Sequence, residues 1–246
     1  MAKMIRKIAR RGKKFVKRIT GRNGPDKKAI ELYQKFDYLE AYSRHIDLRV
    51  ERDPKSAVGG RWDEIGKFQF DFIIQMGLKP YHKMLDIGCG TLRGGRYFIQ
   101  YLDSGNYTGI DISQKAISFA KHFVEQEGLS EKSPRLIVNE KKTFDFLAFP
   151  GEVFNYILAQ SVFTHNKPEH IKACFENIGI IMDDNSSFYF TYWSADKYKR
   201  VGFKDFRYPY IFFEILSQRY GFELFDYSDV YIHPKRQQIL GLKKIR

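Results

Sequence analysis

Met84-Leu85-Asp86-Ile87-Gly88-Cys89-Gly90-Thr91-Leu92-Arg93-Gly94-Gly95 joins a short apolar run to a glycine-rich turn. The run reads as a buried strand, and the residues beyond the turn, through Phe98 and Tyr101, read as a helix. Glycines between a strand and a helix let the backbone approach a ligand, and the helix start offers unbonded N–H groups. A dinucleotide fingerprint puts a third glycine three residues after Gly90, where Arg93 stands instead, so a nicotinamide reading is weakened. Asp111 closes the next predicted strand, 23 residues after Gly88, where an acid can accept from both hydroxyls of a ribose. The turn therefore fits a ribose-bearing ligand that need not carry a pyrophosphate.

Outward from the turn, short apolar runs alternate with helical periodicity. Tyr107–Ile112, Arg135–Asn139, Phe154–Ala159 and Ser187–Trp193 read as strands, separated by helices at Ala116–Glu127 and Glu169–Met182. A helix at Ile211–Tyr220 leads to two last strands, Phe222–Tyr227 and Gln238–Lys243, with no helix between them. Such alternation predicts an α/β fold: a doubly wound, Rossmann-like sheet of seven mostly parallel strands with one antiparallel strand at an edge. Upstream, Ile30, Leu32, Tyr33, Phe36, Leu39 and Tyr42 recur at three and four residues, as do Ile65, Phe68, Phe72, Ile73 and Met76. Both stretches predict N-terminal helices. The expected organisation is a basic arm over 1–28, a helical lead-in over 29–61 and a ligand-binding domain over 62–246.

The chain of 246 residues carries a net charge of +13 and is 43% hydrophobic, which is too apolar for a disordered polymer. The charge is concentrated. Residues 1–28 hold twelve basic side chains and one acid, so the other 218 residues are near neutral. In the arm, Met4, Ile5, Ile8, Phe15, Val16 and Ile19 fall near helical period, interrupted by Gly12. Such a helix fits an anionic membrane surface, each cation adding about 1 kcal/mol there. A phosphate backbone would attract the same charges, and a solvated tail is the plain alternative. Cys89 and Cys174 are too few for a disulfide framework or a four-ligand zinc site, and a cytoplasmic location is expected. No metal site is expected, and no stretch of 18 apolar residues would span a membrane.

Leu85-Asp86-Ile87-Gly88-Cys89-Gly90, then Gly109-Ile110-Asp111, then Phe154-Asn155-Tyr156-Ile157-Leu158-Ala159-Gln160-Ser161-Val162-Phe163-Thr164-His165 resemble the class I S-adenosylmethionine-dependent methyltransferases over roughly residues 62–246. The resemblance implies that Gly88, Cys89 and Gly90 give backbone to the methionine part of S-adenosyl-L-methionine, with Asp86 holding its amino group through water. It implies that Asp111 takes the ribose hydroxyls and Ile112 packs on the adenine. Gln160 and Ser161 would flank the sulfonium and the acceptor. Arg93 is either a partner of the cofactor carboxylate or a helix-surface arginine. Asn139, Glu140 and Asp145 are alternatives for the adenine amino group.

His165, after the fourth strand, could be a general base, with Gln160 the other candidate catalytic residue, or could cap the following segment. His233 lies in the last strand connection, either over the acceptor or at the far end of the sheet. Trp193 could wall the acceptor pocket or fill the core. Enzymes acting on exocyclic base nitrogens carry an Asn/Asp-Pro-Pro-Tyr/Phe tetrad after strand four, where this chain has Ala159-Gln160-Ser161-Val162. Neither cysteine is placed to attack a pyrimidine carbon. The expectation is O-methylation of a saccharide, lipid-linked or other small-molecule acceptor, with the protein peripheral at the inner membrane face. An RNA- or protein-directed methyltransferase tethered by the arm, and a non-catalytic cofactor-fold scaffold, are the alternatives.

Overall fold

In the computed structural model, residues 27–245 are described. The amphipathic arm and its alternation of Met4, Ile5, Ile8, Phe15, Val16 and Ile19 lie outside them. Contacts divide the chain into two units, one ending at His45 and the other starting at Ile46. The first contains the helix α1 (Lys27–Lys35) and the start of α2 (Tyr38–Arg52).

The second unit is built on the sheet. Its strands are β1 (Met84–Ile87), β2 (Tyr107–Asp111), β3 (Arg135–Val138), β4 (Tyr156–Ala159) and β5 (Ser187–Tyr192), with β8 (Phe222–Asp226) and β9 (Gln238–Lys244) after them. Their order is β3-β2-β1-β4-β5-β9-β8. The first five are mutually parallel, and β9 runs antiparallel between β5 and β8 at that end of the sheet. The order reverses between β1 and β2 on one side and β4 on the other, which opens a crevice at the carboxyl ends of those strands. Strand β5 is buried at every residue, as a parallel strand covered on both faces must be.

Helices follow the predicted faces. In α4 (Trp62–Gln75), Trp62, Ile65, Gly66, Gln69, Phe72 and Ile73 are buried, the stripe of a helix lying on a sheet. Gly66 is needed there, because a Cβ would sit 2.2 Å from the main-chain oxygen of Arg93. Helix α4 therefore rests directly on the glycine turn that follows β1. Helix α5 (Gly95–Tyr101) leaves that turn, and α6 (Gln114–Gln126) starts where Ser113 Oγ accepts from the N–H of Ala116 at 3.0 Å. The helix expected over 169–182 is α-helical over Pro168–Asn177 (α7) and tightens to 3₁₀ over Ile178–Ile181.

One element has no counterpart in the sequence reading. Strands β6 (Lys199–Val201) and β7 (Asp205–Arg207) form a separate antiparallel hairpin between β5 and α8 (Tyr210–Arg219). Gly202, at φ +68°, supplies a left-handed turn residue.

Candidate active site

Gly88 and Gly90 both hold positive φ, +71° and +57°, so the turn after β1 takes a path that L side chains rarely follow. A Cβ on Gly88 would meet Val162, and one on Gly90 would meet Val58, each at 2.6 Å. Cys89 points the other way, into the core, where its sulfur lies 2.9 Å from where a Cβ of Gly109 would be. Burial raises that thiol well above its ordinary value, so the side chain stays a neutral thiol.

Two carboxyls flank the turn. Asp86 is buried within β1 and accepts from Tyr107 Oη at 2.8 Å. Burial pushes its pKa up to about 7, against that hydrogen bond. Asp111, at the end of β2, accepts from the N–H of Gly90 at 2.9 Å and of Ser113 at 2.8 Å. Burial outweighs these bonds and raises it to about 6. Ile112 is partly buried immediately after it.

Arg93 is not a helix-surface residue. It is 6% exposed, and one of its terminal nitrogens donates to the carbonyl of Val58 at 2.5 Å. Its Nε is buried with no hydrogen-bond partner. Burial lowers its pKa to about 10, which still leaves it charged at neutral pH. A buried guanidinium with an unused donor is costly unless an anion arrives to take it.

At the end of β4 the chain makes a second unusual turn. Ser161 holds φ +61°, and its N–H donates to Thr191 Oγ1 of β5 at 2.7 Å. This geometry carries Val162 over Gly88. Gln160 is buried and engaged at both ends of its amide: its oxygen accepts from Tyr231 Oη and its nitrogen donates to Gln237 Oε1 at 3.1 Å. Gln237 Oε1 also accepts from Ser161 Oγ at 3.0 Å and Thr191 Oγ1 at 2.8 Å. The Nε2 atoms of His233 and Gln160 are 3.4 Å apart. The β8–β9 connection thus falls over the crevice, which decides the position the sequence left open for His233. Burial, then the charges of Arg93, Lys235 and Arg61, lower His233 to about 4, so it is neutral at pH 7.

His165 sits in a 3₁₀ turn after β4, and its Nδ1 lies 2.9 Å from Asp205 Oδ1 and 3.2 Å from the carbonyl of Lys204. Both are acceptors, so the neutral ring carries its proton on Nδ1 and its lone pair on Nε2. Burial first, then Lys204, hold His165 below its ordinary value, against Asp205. Burial pushes Asp205 up, but the bonds from His165 and Lys204 outweigh it and hold it near 2. Trp193 packs edge-on to the imidazole, ring centres 6.0 Å apart. Asn139 and Asp145 are both engaged locally, Asn139 Nδ2 with the Thr143 carbonyl at 2.7 Å and Asp145 with the N–H of Leu147 at 3.1 Å. Glu140 is exposed.

Tyr107, Thr191, Tyr231, Gln237 and Asp205 complete these networks and were not singled out from sequence. Only Tyr231 and Gln237 carried a signal, through their place beside His233. Among the described residues no group of three or more His, Cys, Asp or Glu side chains is placed to hold a metal ion.

Residues 84–183 match the family described as Methyltransferase domain. That matched segment, from the start of β1 to just before β5, is a methyltransferase domain. Magnesium protoporphyrin IX methyltransferase from Synechocystis, solved with SAM bound, shares this methyltransferase fold at 14% identity and TM-score 0.63, over 85% of this chain and 98% of that one. The 4+2 cyclase SpnF shares it at 14% identity and TM-score 0.64, over 85% and 97%. These likenesses establish the fold. In sequence, the chain is 32% identical over 91 residues to a sterol 24-C-methyltransferase of Aspergillus fumigatus, 37% of this chain and 23% of that protein. A probable methyltransferase of Aspergillus luteorubrus matches at 30% over 98 residues, 34% of its length. The chain thus spans between a quarter and a third of the length of these relatives.

Proposed function

We propose that this protein is an S-adenosylmethionine-dependent methyltransferase that O-methylates a small-molecule acceptor, a saccharide or a lipid-linked compound, close to a membrane surface. The observation that carries the cofactor is the polar set around the glycine turn: Arg93 with a buried, unused Nε, the buried carboxyl of Asp86 and the half-buried carboxyl of Asp111. That set is complementary to an amino acid with a ribose attached. Arg93 would hold its carboxylate, Asp86 its ammonium, Asp111 its ribose hydroxyls, and the N–H groups of the turn its main chain. Ile112 would pack on the adenine. When bound, the cofactor supplies a sulfonium methyl already activated for transfer.

The chain's own contribution is then alignment and proton removal. Ser161 and Gln160, locked to Thr191, Gln237 and Tyr231, fix the end of β4 beside the transfer point, and orientation of this kind is worth several kcal/mol. His165, held by Asp205 with its lone pair on Nε2, is the base for a hydroxyl acceptor. The sterol and porphyrin acceptors named for two relatives support a small molecule rather than a polymer.

Titration with S-adenosylhomocysteine tests the cofactor reading. Binding of the wild type and at least a ~10-fold weaker affinity for Asp111→Ala is expected; no heat of binding in the wild type would leave the scaffold alternative. The membrane reading rests on the basic arm of residues 1–28. Deleting residues 1–24 is expected to abolish sedimentation with anionic vesicles while S-adenosylhomocysteine still binds. Vesicle binding that survives the deletion refutes the arm's role, and displacement by RNA would favour the nucleic-acid alternative.

A further inference from the structure

Above the Gln160–His233 contact, two loops far apart in sequence are stitched together by cations. Lys235 Nζ donates to the carbonyl of Gly59, and Arg61 donates to the carbonyl of Pro234 at 3.3 Å. Arg93 lies beside them: a Cβ on Gly59 would meet both Lys235 Nζ, at 2.7 Å, and Arg93, at 3.8 Å. Arg49, from the end of α2, donates to the carbonyl of Ser56 at 3.0 Å on the same loop.

Their charges are poorly compensated. Arg49, Arg93 and Lys235 are bonded to main-chain carbonyls, which carry no net charge. Arg61 meets Glu64 at 2.8 Å, and Lys204 meets Asp205, which His165 also uses. Burial, then Arg93, Arg49, Arg61 and Lys204 in turn, push Lys235 below its ordinary value, so Lys235 sits in a positive field. Like charges gathered at one place cost stability, and a site keeps such a cost when a ligand offsets it. Arg93 is committed to the cofactor's carboxylate and Lys204 to Asp205, which leaves Arg49, Lys235 and the Glu64-paired Arg61 at the mouth.

We infer that Arg49, Arg61 and Lys235 form an anion subsite for the methyl acceptor, and that the acceptor carries a phosphate-class dianion. Arg49 and Lys235 bring two charges that are bonded to main-chain carbonyls, more than one monovalent carboxylate would balance, and guanidinium groups suit tetrahedral oxyanions. The same loop exposes Ile232, 72% accessible, and Val230, 53% accessible, next to the cations. A phosphate bearing an apolar chain would use both features, whereas free phosphate would use only the charges. The inference rests on the methyltransferase reading for its meaning, since it places the anion over that site.

The probes are inorganic phosphate and monomeric short-chain phosphatidic acid, titrated into the full chain at ionic strength matched with chloride, beside S-adenosylhomocysteine in a separate titration. Saturable phosphate binding is expected, weakened at least ~10-fold in Arg61→Ala/Lys235→Ala and kept within ~3-fold in Arg61→Lys/Lys235→Arg, which preserves the charges. S-adenosylhomocysteine should bind all three proteins, which also shows the variants folded. Tighter binding of phosphatidic acid than of phosphate assigns the anion to a lipid headgroup, and equal binding assigns it to a soluble phosphorylated acceptor. Phosphate affinity that is absent, or equal in wild type and alanine variant, overturns the subsite. If S-adenosylhomocysteine also fails to bind the wild type, the cofactor reading falls separately.

Discussion

Replacing Asp86 by asparagine is expected to stabilise the ligand-free protein and to cripple its hold on the cofactor. The folded carboxyl titrates near 7 and the unfolded one near 3.8. Between those values the folded state holds a proton that the unfolded state has lost, so stability falls as pH rises through this window. A shift of roughly three units corresponds to about 4 kcal/mol at the alkaline end. Asparagine removes that charge while its side-chain oxygen can still accept from Tyr107 Oη, which now bonds Asp86 at 2.8 Å. Thermal melts should show a midpoint several degrees above wild type at pH 8 and little difference at pH 4. A variant that melts lower than wild type at pH 8 would mean that the carboxylate is already ionised and satisfied. In the same preparation, S-adenosylhomocysteine should bind ~10-fold or more weakly, because an ammonium needs the charge that asparagine lacks. For the wild type, affinity should decline as pH drops below about 7, where the cofactor must displace the proton from Asp86.

These opposite signs reflect how the site is built. Asp86 and Arg93 feel one another's charge, but their hydrogen bonds go elsewhere, from Tyr107 to Asp86 and from Arg93 to Val58. On the proposed reading, these groups await a ligand whose ammonium, carboxylate and ribose pair with them.

The strand segments and the glycine turn were readable because they depend on local signals. Asp86-Ile87-Gly88-Cys89-Gly90 needs positive φ at two positions, and only glycine supplies that without strain. Asp111 was found by its distance along a βα unit, which a short connection keeps nearly constant. Arg93 was visible as a residue but its environment was not. Its burial depends on α4 lying against the turn through Gly66, a contact between segments about 30 residues apart. The β6–β7 hairpin escaped detection because Lys199–Val201 and Asp205–Arg207 are three residues each and Val201 is exposed, leaving no apolar alternation to read. With the hairpin hidden, so was Asp205, and with it the acceptor that fixes the tautomer of His165. Thr191 was equally silent, since a polar residue in a strand announces nothing until the strands are ordered, and Gln237 showed only as a neighbour of His233. Ser161 is a further case: a non-glycine residue at φ +61° carries no sequence mark, yet it directs Val162 onto Gly88.

His165→Gln is expected to slow methyl transfer to a hydroxyl acceptor by ~10²–10⁴-fold, the range for loss of a general base. The measurement is incorporation from methyl-labelled cofactor into the lipid and glycan fractions of a lysate, followed against pH. In the wild type the rate should fall on the acid side as His165 takes up a proton, at a pH below the ordinary histidine value of 6.5, because burial and Lys204 hold it down. Asp205 opposes them, so Asp205→Asn should move that limb to still lower pH and lower the plateau as well. The plateau falls because an amide can offer Nδ1 a donor as readily as an acceptor, and the lone pair no longer stays on Nε2. A histidine that only tied the hairpin to the 3₁₀ turn would behave otherwise. Breaking its 2.9 Å contact with Asp205 would lower the melting temperature and leave the midpoint of the pH profile in place. An undiminished rate in His165→Gln, with cofactor binding intact, would exclude His165 as the base and favour an acceptor nitrogen or carboxylate, which reacts without first giving up a proton.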